Sequence, residues 1–302
     1  MKDYFKEIHE SSDWRLVREI AEGWSSDKKF YIETKDNQKL LLRVADSSLK
    51  KQKKLEYDRI SALRSTSFPM SRPISFGTFN HGESVYMLLT WVEGIPLRSK
   101  LLKMSVADQY STGLQAGKML KEIHSVPVID KHIQTPQARR EHKLNKIKIY
   151  ETSYVRVKGD QVAIDYVRNN IEKIYDTPPA YKHGDFHAGN LIYTADGNLG
   201  LIDFNRIDCG DRYEDFNKTS ILDAQLSIPF ATGIIDGYFD AEPTPEFWEV
   251  QSIYVAQSAM TSINWAEKFG IEEIQNMQAY CQKAFEDYNY FAKTVPTWYE
   301  KL

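Results

Sequence analysis

The chain has 302 residues, of which 42% are hydrophobic and 27% charged, values typical of a globular protein with a well-buried core in one large domain or two lobes. Its two cysteines, Cys209 and Cys281, exclude a disulfide framework and a cysteine-rich metal site, which fits a reducing cytoplasm. The first residues lack the apolar run of a signal peptide, and no apolar run is long enough to cross a bilayer, so the composition favours a cytoplasmic protein without a membrane partner.

The net charge of −3 conceals an asymmetry along the chain. Residues 211–302 contain 15 acidic and 6 basic residues, a net −9, which leaves +6 for residues 1–210. An acidic region of this strength can attract a cationic ligand. Basic residues cluster at 50–54 and 139–148, without the interleaved aromatic residues of an RNA-binding motif. We therefore interpret these clusters as solvated helix faces and predict no nucleic-acid partner.

The first third of the chain has the alternation of apolar and polar residues that predicts β-strands. A hairpin is predicted around the turn residues 35–38, and Ser47 or Ser48 is expected to cap a helix that reaches Leu63. Strands are predicted at 14–20, 30–34, 40–44, 74–76 and 84–90.

After a break at 93–96 the pattern becomes mainly helical, with apolar residues at helical spacing. Helical segments are predicted at 106–124, 139–175 and 271–291. Strands followed by helices predict an α+β protein with two lobes, a small β-rich lobe at 1–92 and a larger α-rich lobe at 93–302. Ligand sites are typically found in clefts between such lobes.

The most informative motif is His-Gly-Asp-Phe-His-Ala-Gly-Asn at 183–190, followed by Ile-Asp-Phe at 202–204. Short apolar segments on either side of the turn 196–198 predict a hairpin, which would bring Asn190 close to Asp203. Their side-chain oxygens are the ligand type that Mg²⁺ prefers. Asp185 can accept a hydrogen bond, and then a proton, from a hydroxyl group. Together these residues predict phosphoryl transfer.

Residues 183–206 resemble the catalytic and metal-binding loops of the aminoglycoside phosphotransferase and choline kinase group, which are relatives of the protein kinases. The resemblance implies a bilobal protein-kinase-like fold with ATP and Mg²⁺ as cofactors. By similarity, Asp185 is the catalytic base, and Asn190 and Asp203 are magnesium ligands. His183 is expected to pack and to orient the loop, whereas His187 either approaches the phosphates or braces the loop.

The resemblance extends to the nucleotide-binding segments of the first lobe. Residues 22–28 resemble the loop that positions the nucleotide, and the backbone N–H groups of Ser25 and Ser26 are expected to cap its phosphates. Thr90 to Val92 resemble the hinge that binds adenine through backbone groups.

Arg43 stands where the group usually has the lysine that pairs with the phosphates of ATP. Arginine is a permanently charged phosphate ligand, so the substitution preserves the charge. Lys39 is the competing candidate. Glu56 is expected to form the ion pair that steadies Arg43, with Asp58 as its rival.

The resemblance implies a small-molecule kinase that phosphorylates a hydroxyl of an aminoglycoside-type antibiotic, and hence antibiotic resistance, or of a similar cationic substrate. Choline-like, sugar and macrolide substrates are alternatives, and so is a catalytically silent nucleotide-binding regulatory module. A protein substrate is disfavoured because Asn205 follows Asp-Phe and no long activation loop comes after it. The sequence gives no indication of the oligomeric state. Carboxylates that are candidates for the acceptor pocket are Asp223, Glu267, Glu272 and Glu273.

Overall fold

The computed structural model describes residues 2–21, 27–239 and 241–300. It is an α+β structure with β-sheet in the N-terminal region and helices in the C-terminal region, which confirms the predicted fold class. The chain divides into two compact units, the first from residues 1–95 and 190–208 and the second from 96–189 and 209–302. The division into lobes at 1–92 and 93–302 stays a prediction.

The strands confirm the predictions made from alternation, with ends that differ by a few residues. In chain order they are β1 (Trp14–Ile20), β2 (Lys28–Thr34), β3 (Lys39–Asp46), β4 (Pro73–Phe79), β5 (Ser84–Thr90), β6 (Ile95–Pro96), β7 (Ala180–Lys182), β8 (Leu191–Tyr193), β9 (Leu199–Leu201) and β10 (Asp208–Gly210).

The helices include the three predicted regions, although residues 152–159 interrupt the predicted segment 139–175, and two long segments that the sequence pattern did not reveal, α7 and α8. In chain order they are α1 (Lys50–Ala62), α2 (Leu97–Leu101), α3 (Val106–Ser125), α4 (Pro136–Glu151), α5 (Asp160–Asn170), α6 (Ala224–Leu226), α7 (Ile228–Tyr238), α8 (Pro245–Ala266) and α9 (Ile271–Asp287). Within the described ranges, no helix is long and apolar enough to span a membrane.

The first unit is built on an antiparallel sheet that has five strands in the described residues, in the order β1-β2-β3-β5-β4. One face of this sheet carries a hydrophobic core. Residues that alternate with the core residues point to the other face, and Lys29 of β2 lies there directly opposite Arg43 of β3. Members of the core include Phe5, Trp14, Phe30, Ile32, Leu42 and Leu88.

The helix after β3 begins differently from the prediction, and the serine cap at Ser47 or Ser48 is wrong. The Asp46 carboxylate accepts the N–H of Ser48 at 2.9 Å and starts a 3₁₀ turn that runs into α1. Leu49, the residue before α1, makes no side-chain cap. An ionised carboxylate is a stronger acceptor than a hydroxyl, and it is favoured by the positive end of the helix dipole.

The second unit is organised by α3 against α7 and by the core around α8. Glycines let the first pair approach closely. A Cβ atom at Gly117 would lie 2.2 Å from the carbonyl oxygen of Ile234, and a Cβ at Gly237 would lie 2.2 Å from that of Leu114. Both contacts are far inside van der Waals distance, so the helix packing requires glycine at these two positions.

Candidate active site

The catalytic motif begins in a loop of the second unit that follows β7. At its start, the buried Asp215 carboxylate accepts the backbone N–H groups of His183 at 2.8 Å and Gly184 at 2.7 Å. Asp215 also lies 3.2 Å from Nε2 of the buried His124. A carboxylate with this many donors is held firmly, so it fixes the backbone that leads into Asp185.

The end of the same loop is fixed by a second buried carboxylate, Asp223. Its Oδ1 atom accepts the N–H of Ala188 at 2.9 Å. Phe186 anchors the loop by complete burial of its ring. A side chain at Gly189 would place Cβ 2.6 Å from the His187 ring, so this motif position requires glycine. Between these fixed ends, the Asp185 side chain keeps 22% of its surface exposed.

The two motif histidines orient the loop from within. His183 is fully buried, and its Nδ1 atom accepts the N–H of Asp185 at 3.2 Å, which supports the predicted orienting role. His187 accepts the N–H of Gly189 on Nδ1 at 3.1 Å, which assigns the proton to Nε2. That Nε2 atom lies 4.0 Å from Oδ2 of Asp185. These contacts support the alternative in which His187 braces the loop.

His187 is neutral at pH 7, although it faces a carboxylate. Burial lowers its pKa to about 4, and the charge of Asp185 opposes this shift without cancelling it. A neutral imidazole can direct its N–H toward Asp185 without forming an ion pair, which would reduce the basicity of the Asp185 carboxylate. The arrangement therefore suits a carboxylate that must accept a proton.

A cavity of about 70 Å³ adjoins the catalytic loop within the second unit, and Asp223, His187, Gln225 and Tyr280 line it. Asp223 ends a π-helical turn, Thr219–Asp223, a rare conformation that is frequent at functional sites. Its side chain is 1% exposed, and its Oδ2 atom has no hydrogen-bond partner among the described residues. The cavity thus contains a carboxyl oxygen that is available to a polar group of a ligand.

Burial raises the pKa of Asp223 to about 8, although the N–H of Ala188 and the charges of Arg98 and Lys218 oppose the shift. The three other acceptor candidates lie elsewhere on the unit. Glu267 accepts the hydroxyl of Ser153, and Glu272 lies in the exposed first turn of α9 with Glu273. Of the four predicted carboxylates, Asp223 is the one that lines this cavity.

The metal-binding half of the motif lies in the first unit, on the hairpin formed by β8 and β9. Leu191 pairs with Leu201, and the N–H of Ile202 donates to the carbonyl of Asn190 at 3.0 Å. This register places Asn190 and Asp203 next to each other, as the sequence predicted. Asp203 has a φ of 63°, which is a strained conformation for a residue other than glycine and typical of functional sites.

The chemistry of this pair fits a magnesium ion. Asn190 and Asp203 both present hard oxygen donors, and the Asp203 side chain is 32% exposed. In the described part of the chain, no three His, Cys, Asp or Glu side chains are grouped as a metal site. Mg²⁺ commonly binds one or two protein oxygens, with waters and substrate phosphates as its other ligands, so a pair is sufficient.

Arg43 occupies the predicted position on β3 and is enclosed by carboxylates. It donates to Asp27 through Nε at 3.1 Å and through a second nitrogen, and to Glu56 through Nη1. Lys53 contacts the same two carboxylates, at 2.7 Å from Asp27 and 3.2 Å from Glu56. Arg43, Asp27 and Glu56 are all buried. Two cations and two carboxylates therefore form one neutral, buried cluster.

The rival residues are engaged elsewhere. Lys39 pairs with Glu93 at 2.6 Å, and Asp58 pairs with Lys54 at 2.5 Å, in both cases with exposed partners. The geometry therefore favours Glu56 as the partner of Arg43. Two predicted nucleotide residues, Ser25 and Ser26, lie outside the described residues.

The segment predicted to bind adenine continues from β5. Thr90 is tied to the preceding loop, because its N–H donates to the carbonyl of Arg72 at 2.9 Å and its hydroxyl donates to that of Met70 at 3.1 Å. Val92 is buried and contacts the hairpin at Gly200, where a Cβ atom would lie 2.5 Å from its Cγ1. The backbone predicted to recognise adenine is thus firmly held within the first unit.

Most residues of the basic clusters are exposed, as predicted, for example Lys51 and Lys146, whereas three members are largely buried. Lys53 and Lys143 are largely buried in ion pairs, the latter with Glu214, which Lys182 also contacts. Arg139 is buried and donates to the carbonyl of Cys209. The sequence pattern showed the charges but could not show which carboxylates would fold against them.

Two of the aromatic residues in the acidic region belong to the core. Trp248 and Tyr288 are buried among other hydrophobic side chains, so their ring faces are not available to a ligand. Tyr280, in contrast, lines the cavity beside Asp223.

Comparison with known proteins identifies similar sequences and folds. The model of the phosphotransferase enzyme family matches residues 16–248, and no curated protein matches. A GDP complex of an aminoglycoside 2'-phosphotransferase-IIIa mutant is 12% identical with a TM-score of 0.70, covering 97% of this chain and 98% of that one. The gentamicin complex of APH(2'')-IIa is 17% identical with a TM-score of 0.61, covering 94% and 96%. A ternary complex of APH(4)-Ia with AMP-PNP and hygromycin B is 14% identical with a TM-score of 0.68, covering 95% and 98%.

Proposed function

Because the chain belongs to the phosphotransferase enzyme family, we propose that it is an ATP- and Mg²⁺-dependent kinase that phosphorylates a hydroxyl of an aminoglycoside-like, cationic small molecule. The observation that carries the proposal is the position of Asp185, part-exposed on a loop that Asp215 and Asp223 fix at both ends. A rigid loop with one part-exposed carboxylate is suited to orienting an acceptor hydroxyl.

In this proposal Asp185 accepts the hydrogen bond of the acceptor hydroxyl and takes its proton as the hydroxyl oxygen bonds to the γ-phosphorus of ATP and the bond from that phosphorus to the leaving ADP breaks. His187 and His183 keep the loop in position, and the neutral His187 adds no positive charge beside Asp185. Asn190 and Asp203 would hold the magnesium ion. Bound Mg·ATP would supply the γ-phosphoryl group and a cation that balances its charge.

Asp223 supports an amine-bearing acceptor. Its Oδ2 atom has no partner among the described residues, and a substituent the size of an ammonium group fits a cavity of about 70 Å³. Two of the structural neighbours were solved with gentamicin and hygromycin B bound. We propose that an ammonium group of the acceptor pairs with Asp223, which loses its proton on binding because an adjacent cation favours the carboxylate.

A substrate panel tests the proposed function. We expect ADP release with at least one of gentamicin, hygromycin B and amicoumacin, and none with a generic protein substrate. ADP release only with choline, a macrolide or a simple sugar would contradict an aminoglycoside-like substrate, but it would still support kinase activity. Tight ATP binding without ADP release from any acceptor would instead indicate the catalytically silent module.

We expect Asp203→Ala to weaken Mg·ATP binding by about tenfold or more, because the variant lacks one of two protein oxygens for the ion. Binding of ATP in the presence of EDTA should change much less. Calorimetry with and without Mg²⁺ measures both effects. Asp196→Ala, in the exposed turn of the same hairpin, is the matched control. Equal Mg·ATP affinity in Asp203→Ala and the control would exclude Asp203 as a metal ligand.

We expect Asp223→Asn to remove a pH dependence of folding stability. Because burial raises the pKa of Asp223 from 3.8 to about 8, the folded state binds a proton that the unfolded state lacks between these values. Wild-type stability should therefore fall as pH rises across this window, by up to about 1.4 kcal/mol per unit. Urea unfolding at pH 5 to 8 measures the slope. If wild type and variant keep a constant difference over this range, the raised pKa is contradicted.

A further inference from the structure

Arg43 contributes little positive charge to a phosphate at the proposed nucleotide site, because its guanidinium is paired with the carboxylates of the buried cluster. Arg43 is 4% exposed, three of its hydrogen bonds go to Asp27 and Glu56, and Lys53 adds a second cation to the same carboxylates. The cluster is already neutral without a phosphate. A phosphate placed there would compete with two buried carboxylates for one guanidinium, which is electrostatically unfavourable.

Lys29 is the neighbouring cation that is not enclosed in this way. It lies directly opposite Arg43 across the β2–β3 pair, so the two side chains leave the same face of the sheet. Its Nζ atom lies 3.6 Å from Oδ2 of Asp203, and its side chain is 15% exposed. This separation exceeds the usual 2.7–3.2 Å of an N–H···O hydrogen bond, so the contact is mainly electrostatic.

We propose that Lys29, on β2, binds the nucleotide phosphates in this protein, and that Arg43 acts as a structural residue that holds Glu56 and Asp27. The proposal rests on the proposed kinase function. It assigns the phosphate contact to a residue one strand away from the position that the sequence predicted, and it leaves Asp203 as the metal ligand beside it.

The charges at this place are consistent with the assignment. An ammonium group has three donors, and in the described residues the Lys29 ion pair with Asp203 leaves donors for phosphate oxygens. A metal ion on Asp203 would neutralise that carboxylate and weaken its hold on Lys29, which is then attracted to the adjacent phosphates. Lys29 would thus be positioned by the same residue that binds the metal.

A rival explanation is that Lys29 merely balances the charge of Asp203 when the metal is absent. The two explanations predict opposite effects of removing the lysine. A phosphate ligand would make binding of Mg·ATP weaker when removed, whereas a competing cation would leave it unchanged or make it tighter. The chain offers a control in Lys51, an exposed lysine of α1 in the same unit, which lies outside the segments predicted to bind the nucleotide.

The experiment is calorimetry of AMP, ADP and ATP, with Mg²⁺ and with EDTA, on wild type, Lys29→Met, Lys29→Arg and Lys51→Met. We expect Lys29→Met to bind Mg·ATP about tenfold to a hundredfold more weakly, since it loses a charge-assisted hydrogen bond. The loss should grow from AMP to ATP and shrink in high salt. Lys29→Arg should recover most of the affinity, and Lys51→Met should match wild type.

The outcomes separate this inference from the proposed function. If wild type fails to bind Mg·ATP, the proposed function fails. If wild type binds and Lys29→Met binds equally well or more tightly, the inference about Lys29 is overturned while the function stands. An equal loss for AMP and ATP would also overturn it, because the contact would then not involve the outer phosphates. Thermal melting of each variant checks folding, and Lys29→Gln replaces the methionine variant if that one is unfolded.

Discussion

The variant Asp185→Asn is expected to lose about 10²- to 10⁴-fold of kcat, the range usually lost with a general base. An amide cannot take the proton of the acceptor hydroxyl at neutral pH, although it keeps the size of the carboxylate. Because Asp185 is assigned to the acceptor hydroxyl and not to the metal or the nucleotide, Mg·ATP affinity should change little. ADP release measures turnover with any acceptor found active in the panel, and calorimetry measures nucleotide binding.

Asp165→Asn is the control for this experiment, because Asp165 is an exposed residue of α5 in the same unit. It should retain wild-type turnover. Activity of Asp185→Asn within about threefold of the control would exclude Asp185 as the base. A combined loss of turnover, of nucleotide binding and of the folded state would point instead to a structural role, and circular dichroism distinguishes this case.

The strands of the sheet could be predicted because they are short runs rich in aliphatic and aromatic residues that end at turn residues. In β5 the five residues from Val85 to Leu89 are apolar and buried in succession, so the run itself, and not an alternation, carried the signal. The turn at 35–38 was also visible, and Asn37 adopts a positive φ of 62° there, as turns of this kind require. Local sequence was sufficient for these strands because composition and turn residues define them.

Two helices were missed because their patterns are set by packing against other elements. In α8 most residues are buried around the whole circumference, so there is no polar stripe to reveal a helical period. In α7 two glycines and a proline argue against a helix. The proline occupies the first turn, where it is tolerated, and Gly237 allows the close approach of α3. These features become favourable only in the tertiary structure.

Part of the candidate site could be predicted because it depends on local sequence. The hairpin register places Asn190 beside Asp203, and that register follows from local apolar residues and the turn between them. The partners of Arg43 were harder to predict. Glu56 was expected from the resemblance to the kinase template, whereas Asp27, just before β2, contacts Arg43 because β2 pairs with β3. The same pairing places Lys29 opposite Arg43, a signal present in the predicted hairpin but not used.

The variant Arg43→Met is expected to have a much lower free energy of unfolding than wild type. The substitution leaves two buried carboxylates with one cation, and removing one partner of a buried ion pair typically costs about 3–5 kcal/mol. Urea unfolding at pH 7 should show a loss of this size. Arg15→Met is the matched control, since Arg15 forms an exposed ion pair with Glu33 and should lose less than about 1 kcal/mol.

The pH dependence identifies the cause of this loss. In wild type, burial alone would raise the pKa of Asp27, but Arg43 and Lys53 outweigh it and hold the pKa below 3.8. The stabilisation from Asp27 is therefore present above pH 3.8 and is lost as the pH falls through its folded pKa. Without Arg43 the pKa of Asp27 should rise, and protonation then relieves the buried charge. The free energy of unfolding of Arg43→Met should consequently lie furthest below that of wild type near pH 7, and the difference should shrink toward pH 4. A deficit that stays constant over this range would attribute the loss to packing of the arginine side chain and contradict the electrostatic role assigned to the cluster.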